Sequence, residues 1–172
     1  MFKRWFRRSE HARLRVLMVC SGNICRSPMA EVVLRSKLQG AGLGDSVAVD
    51  SAGTYGFQRG TRPDPRAVAQ AAQRGYALDG LKSRPVEAAD FSRFDLLLAM
   101  DHGNLQTLQA RCPPNQQHRL HLLLPFAPGA LVDEVPDPYF GASAGFALAL
   151  DLIEPACDGL LSELRRRLTV PS

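Results

Sequence analysis

Apolar residues fall in short runs separated by stretches in which they recur every three or four positions. The run Leu14-Arg15-Val16-Leu17-Met18-Val19 predicts a first strand over 14–20. Behind it Ala30, Val33, Leu34 and Leu38 sit at helical spacing, which predicts a helix over 28–39. Ser27 is placed as its N-cap, Pro28 at its first position and Gly40 as its stop. Residues 46–51 read as a second strand, followed by a Gly- and Pro-rich loop from Gly53 to Pro63. Residues 64–74 read as a helix capped by Asp64, opened by Pro65 and ended by Gly75. A buried-type third strand over 94–100 precedes a helix over 101–110, which Cys112-Pro113-Pro114 ends. A fourth strand is read over 121–124, then a long turn-rich loop from Pro125 to Gly141, a length that often marks function. The last helix spans 143–168, apolar through Phe146, Leu150, Ile153, Leu160, Leu161 and Leu164, with Pro155 predicting a kink or a break.

Alternating β and α units imply an α/β fold in three layers, a parallel sheet with helices on both faces and right-handed crossovers. Ligands on such sheets bind beyond the carboxyl ends of the strands, where Cys20 falls.

Composition adds limits. A length of 172 residues, 45% hydrophobic and 22% charged, suits one soluble globular domain. No apolar stretch reaches the roughly 18 residues a membrane span needs, and no secretory h-region follows the basic N-terminus. The net charge of +4 misleads. Lys3, Arg4, Arg7, Arg8, Arg13 and Arg15 face Glu10 alone, so the remainder is nearly neutral and offers no nucleic-acid-binding face. Residues 1–13 therefore read as a basic, flexible extension of a single domain over 14–172. In the arm, Phe2, Trp5 and Phe6 would share one helical face and could touch an anionic membrane surface; the plainer reading is a solvated tail. Four cysteines without paired spacing suggest neither a disulfide framework nor a zinc site, and point to a reducing cytoplasm. Cys112 and Cys157 read as structural.

The chemistry concentrates in Cys20-Ser21-Gly22-Asn23-Ile24-Cys25-Arg26-Ser27-Pro28. A loop of five residues between a thiol and an arginine, opening a helix, gathers N–H dipoles around one oxyanion. The same field is expected to favour thiolate at Cys20. Arg26 offers a planar fork for two phosphate oxygens. The competing reading is a buried cysteine at a strand end followed by an ordinary turn. Cleavage of a phosphate ester also needs a proton for the leaving oxygen. Asp137, between Pro136 and Pro138, is the best candidate, with Tyr139 as a cleft wall; Asp101 and Asp133 are weaker, and Asp101 also reads as a helix N-cap.

The stretch from Val19 to Glu31 resembles the signature of low-molecular-weight protein tyrosine phosphatases. Asp50-Ser51-Ala52-Gly53-Thr54, Asp64-Pro65-Arg66, Ala99-Met100-Asp101 with Asn104-Leu105, and Asp137-Pro138-Tyr139-Phe140-Gly141 follow in that family's order. The resemblance implies a four-stranded parallel sheet with the phosphate-binding loop after strand 1, and hydrolysis of phosphotyrosine and small aryl phosphates through phosphocysteine, without metal or cofactor. By position it implies Cys20 as nucleophile, Arg26 as oxyanion holder and Asp137 as acid and then base. Ser21, Gly22, Ile24 and Cys25 complete the phosphate loop. Ser27 bonds the sulfur, Asn23 and Ser51 brace the loop, and Phe57 and Tyr139 flank the ring. Cys25 would form a reversible disulfide with the nucleophile. The partners implied are a phosphotyrosine-containing protein as substrate and inorganic phosphate as product. Arg74 stands where relatives often carry a loop-ordering histidine, so a second cation near the loop is expected. An arsenate reductase would need further cysteines, and 81–92 holds none. A phosphoarginine phosphatase would favour threonine at Ile24 and phenylalanine at Tyr139. A catalytically silent anion-binding module remains a third alternative.

Overall fold

The computed structural model describes residues 11–55 and 59–171. In chain order the elements are β1 (Leu14–Cys20), α1 (Arg26–Gly40), β2 (Val47–Gly53), α2 (Pro65–Gln73), α3 (Asp90–Arg93), β3 (Leu96–Ala99), α4 (His102–Arg111), β4 (Leu120–Leu122) and α5 (Ser143–Thr169). Short 3-10 turns at Pro114–Arg119 and Leu124–Phe126 flank β4.

The four strands form one sheet in the order β2-β1-β3-β4, and every pair is parallel. The alternation within the apolar runs separates two cores. Val16, Met18, Leu96 and Leu98 pack with α1, α2 and α5, while Leu17, Val19, Leu97 and Ala99 pack with α3 and α4. This is the three-layer arrangement the sequence predicts. The chain turns from β1 to β2 on one side and later adds β3 on the other. A crevice therefore opens at the carboxyl end of β1, where parallel sheets bind ligands.

Three local expectations change. Helix α1 begins at Arg26, so Ser27 lies inside its first turn and does not cap it; the N-cap position is Cys25, without a side-chain cap bond. Ser27 turns its hydroxyl toward Cys20 instead. Helix α5 does not break at Pro155. Pro155 and Asp151, the residue one turn back whose carbonyl loses its helical donor, are both exposed residues. Helix α3 is an addition to the expected elements, because its four residues carry too little periodicity to signal a helix. Asp64 and Asp101 do cap α2 and α4, accepting from the N–H groups of Arg66 and Asn104. No helix among the described residues is long and apolar enough to cross a membrane. Residues 1–10 of the basic arm, with the aromatic face read there, lie outside the described residues.

Candidate active site

Strand β1 ends at Cys20 and α1 starts at Arg26, so residues 21–25 must turn sharply. Asn23 makes the turn with φ +56°, in a left-handed conformation that asparagine tolerates better than most residues. Its amide then works as a brace. Nδ2 donates to Ser27 Oγ at 2.8 Å and to Ser51 Oγ at 2.9 Å, and Oδ1 accepts the Arg84 N–H at 3.0 Å. Ser27 Oγ lies 3.0 Å from Cys20 Sγ. Gly53, at the end of β2, lets the loop settle onto the sheet. A Cβ there would meet Ser21 O at 2.6 Å and Asn23 N at 3.1 Å. Gly53→Ala is therefore expected to displace the loop, cost about 1–3 kcal/mol of stability as overpacking does, and weaken phosphate binding about tenfold. Thermal melting and phosphate titration check both effects.

The arginine is buried and tethered from one side. Arg26 Nη1 donates to Asp101 Oδ2 at 2.6 Å and to Val135 O at 3.0 Å. Nη2 makes longer contacts, 3.3 Å to Ser21 Oγ and 3.5 Å to Asp137 Oδ2. Burial works against its charge, but Cys20, Asp101 and Asp137 outweigh burial and hold it above the ordinary arginine range. Asp101 serves two ends at once, because its Oδ1 caps α4 through Asn104 N at 2.7 Å. With its nitrogen 3.0 Å from Asp101 Oδ1 and its oxygen 3.1 Å from Ser21 Oγ, the Asn104 amide satisfies both neighbours.

Asp137 reaches the cleft from the far loop. Val135 pins that loop to the sheet end, since its N–H donates to Met100 O at 2.8 Å. The Asp137 side chain remains 41% exposed, and its Oδ1 accepts the Tyr139 N–H at 3.1 Å. Arg66 clamps the following turn, donating to Tyr139 O and Gly141 O, each at 2.9 Å. The same guanidinium grips Asp64 through both carboxylate oxygens and holds that carboxyl below its ordinary range. The Asp64 N–H in turn donates to Ile24 O at 2.8 Å. One arginine thus joins the loop that carries Asp137 to the loop between Cys20 and Arg26.

Cys20, Ser21, Gly22, Ile24, Cys25, Arg26, Asp137, Tyr139, Phe140 and Tyr55 line a cleft of about 200 Å³. All the sequence-predicted site residues within the described stretches either line this cleft or brace its floor; Phe57 lies outside the described residues. Tyr55 carries no signal in the sequence, since it lies in a Gly-rich loop without periodicity. Cys25 is a free thiol, as is Cys20. Burial first, then the negative charge of Asp64, pushes the Cys25 thiol up to about 12, so it stays protonated at neutral pH.

Arg74 requires correction. Its partners are Asp151, Glu154 and the Ala147 carbonyl, all on α5, so it locks α2 to α5 and adds no cation at the loop. The arginine that supports the loop is Arg84. Its guanidinium joins Asp50 to the buried Asp90, and its carbonyl accepts the Gly53 N–H. Nothing in an isolated Arg-Pro dipeptide signals that role. Among the described residues, no group of three or more His, Cys, Asp or Glu side chains is placed to hold a metal ion.

Comparison with known proteins agrees with the geometry. Residues 15–170 match the family model for low molecular weight phosphotyrosine protein phosphatase. A low molecular weight protein-tyrosine-phosphatase of Streptomyces coelicolor is 43% identical over 156 residues, 89% of this chain and 94% of that protein. YfkJ, a low molecular weight protein-tyrosine-phosphatase of Bacillus subtilis, is 33% identical over 88% of this chain and 96% of its own length. The crystal structure of a protein tyrosine phosphatase from Entamoeba histolytica, with Hepes in its active site, superposes with a TM-score of 0.87 at 38% identity, covering 90% of this chain and 98% of that one.

Proposed function

Because the chain belongs to the low molecular weight phosphotyrosine protein phosphatase family, we propose that it hydrolyses phosphotyrosine on proteins, and small aryl phosphates, through a phosphocysteine intermediate. The observation that carries this reading is one cleft that holds Cys20, Arg26 and Asp137 together over a braced loop. The Cys20 thiolate attacks phosphorus while Arg26 and the start of α1 hold the equatorial oxygens. The P–O bond to the phenol breaks, and Asp137 gives its proton to the departing oxygen. Asp137 then takes a proton from water, whose oxygen attacks phosphorus, and the S–P bond breaks to release inorganic phosphate. Ser27, 3.0 Å from the sulfur, stabilises the thiolate before attack and as it leaves.

Tyr55 and Tyr139 supply aromatic faces for the substrate ring, and Ile24 adds an apolar edge. This wall favours a phosphoaryl group over phosphoarginine. A reducing cytoplasm, where a nucleophilic thiol survives, is the setting this chemistry needs. Steady-state release of phosphate from a phosphotyrosine peptide, with a phosphoarginine peptide and arsenate plus thiol as controls, tests the reading. Turnover confined to either control would overturn it.

The Arg66 clamp has its own expected result. Arg66→Met should leave KM nearly unchanged and lower kcat about tenfold for substrates with poor leaving groups, because the acid loses its fixed approach. Steady-state kinetics on a phenyl and a nitrophenyl phosphate read the difference.

A further inference from the structure

Two segments of backbone meet at the Arg26 guanidinium, and each carries one of its anchors. Asp101, just before α4, and Val135, in the loop that leads to Asp137, both accept from Nη1, at 2.6 Å and 3.0 Å. Held from both sides, Nη1 leaves Nη2 aimed at Ser21 and Asp137 beside the cleft. The residue next to each anchor reaches across to the other segment. The His102 N–H, the first of α4, donates to Glu134 Oε2 at 2.8 Å. His102 Nε2 lies 2.7 Å from Asp133 Oδ2. The proposed reaction uses neither contact.

These contacts continue the bonds that hold Arg26. The Val135 N–H donates to Met100 O at 2.8 Å, so residues 133–135 are tied along residues 100–102. Glu134 also satisfies an N–H that the first turn of a helix leaves without an intrahelical partner, as Asp101 does through Asn104. Slack at this edge changes the spacing between the Asp101 carboxylate and the Val135 carbonyl, which is the gap that Nη1 fills.

We propose that His102, with Asp133 and Glu134, forms a positioning latch that keeps Asp101 and Val135 at the spacing Arg26 needs to hold an oxyanion, and that the latch loosens when the imidazole loses its proton. Asp133 and Glu134 face the imidazole from the loop, and Asp101 faces it from the preceding turn. The strands under α4 offer it Leu97, Ala99, Leu120 and Leu122, while His121 of β4 packs on Phe126 instead. The hydrogen bond to Asp133, then the charges of Asp133, Glu134 and Asp101, hold His102 above its ordinary range. The ion pair is therefore complete below about pH 6.5 and is lost as pH rises through the raised value. Both partners are half exposed, at 51% and 56%, so the change in affinity is expected to be about twofold.

The inference rests on the loop being the oxyanion site proposed above. Sulfate is a suitable probe, because its charge does not change between pH 6 and 9. A latch and a simple charge effect predict opposite signs. Removing a carboxylate through charge alone would tighten anion binding, whereas loosening the latch weakens it. Calorimetry on the full chain is expected to show sulfate binding about fivefold weaker in Glu134→Ala at both pH values, on the scale of a lost helix cap. Glu134→Gln keeps an acceptor for the His102 N–H and should stay within about twofold of wild type. Asp133→Asn should bind about twofold more weakly at pH 6, and the deficit should close by pH 9, where wild type has lost the ion pair as well. Unchanged or tighter binding in Glu134→Ala, no deficit in Asp133→Asn at pH 6, or an equal deficit at pH 9 would overturn the latch while leaving the oxyanion site standing. Absence of sulfate binding to the wild-type chain at both pH values would overturn the oxyanion site and the latch with it.

Discussion

Cys20→Ser is expected to lose turnover of aryl phosphates by on the order of 10⁵-fold or more, the scale seen when a nucleophile is removed from a set of groups that act as a unit. A serine hydroxyl is not ionised at neutral pH, and among the described residues nothing near residue 20 is arranged to take its proton. Ser27 Oγ, 3.0 Å from Sγ, is a hydrogen-bond partner and not a base. In the proposed mechanism Asp137 is committed to the leaving group. The loop itself should survive the change. Its shape comes from Asn23, Ser51, Arg84 and Gly53, and Arg26 keeps Asp101 and Val135 as anchors. Phosphate binding should therefore stay within a few-fold of wild type. Burst-phase kinetics and phosphate titration on the same sample separate the two properties. Residual turnover within tenfold of wild type would remove residue 20 from the reaction.

The second large effect is expected at Asp137. Asp137→Asn should slow hydrolysis of phosphotyrosine about 10²- to 10³-fold, within the usual range for general acid catalysis. A tyrosine leaving group has a pKa of about 10 and departs poorly as an anion. An aryl phosphate with a strongly electron-withdrawing ring needs little protonation, so its first step should change far less. The variant should also lose one limb of the pH–rate profile. Asparagine keeps the bond from the Tyr139 N–H and the packing between two prolines, so a loss of rate would report the proton and not the loop. Equal slowing for good and poor leaving groups would mean that residue 137 only positions the substrate.

Much of this site is legible in the chain because its parts are contiguous. Residues 20–28 carry the proposed nucleophile, the turn and the helix start in one stretch, and strand alternation places the stretch at a sheet end. Asp64 and Asp101 could be read as caps because the signal for capping is local. Three features could not be read that way. Arg74 and Arg84 are equally plausible cations in sequence, and only the packing of α2 on α5 and of residues 83–86 beside Gly53 decides which one meets the loop. The carboxyl at Glu31 looks in sequence like an ordinary helix-surface residue, because a half-polar turn does not reveal that the packed helix buries it. Ser27 reads as a cap by residue type, yet the helix starts at Arg26, two residues before the expected Pro28, and the Ser27 hydroxyl lies beside sulfur.

Asp101 joins two fates. The same carboxylate closes the first turn of α4 and anchors the buried guanidinium of Arg26. Fraying of that helix end on warming would release the anchor while the sheet is still intact. Loss of activity should then precede the main melting transition, and anything that stiffens the start of α4 should protect the catalyst more than it protects the fold.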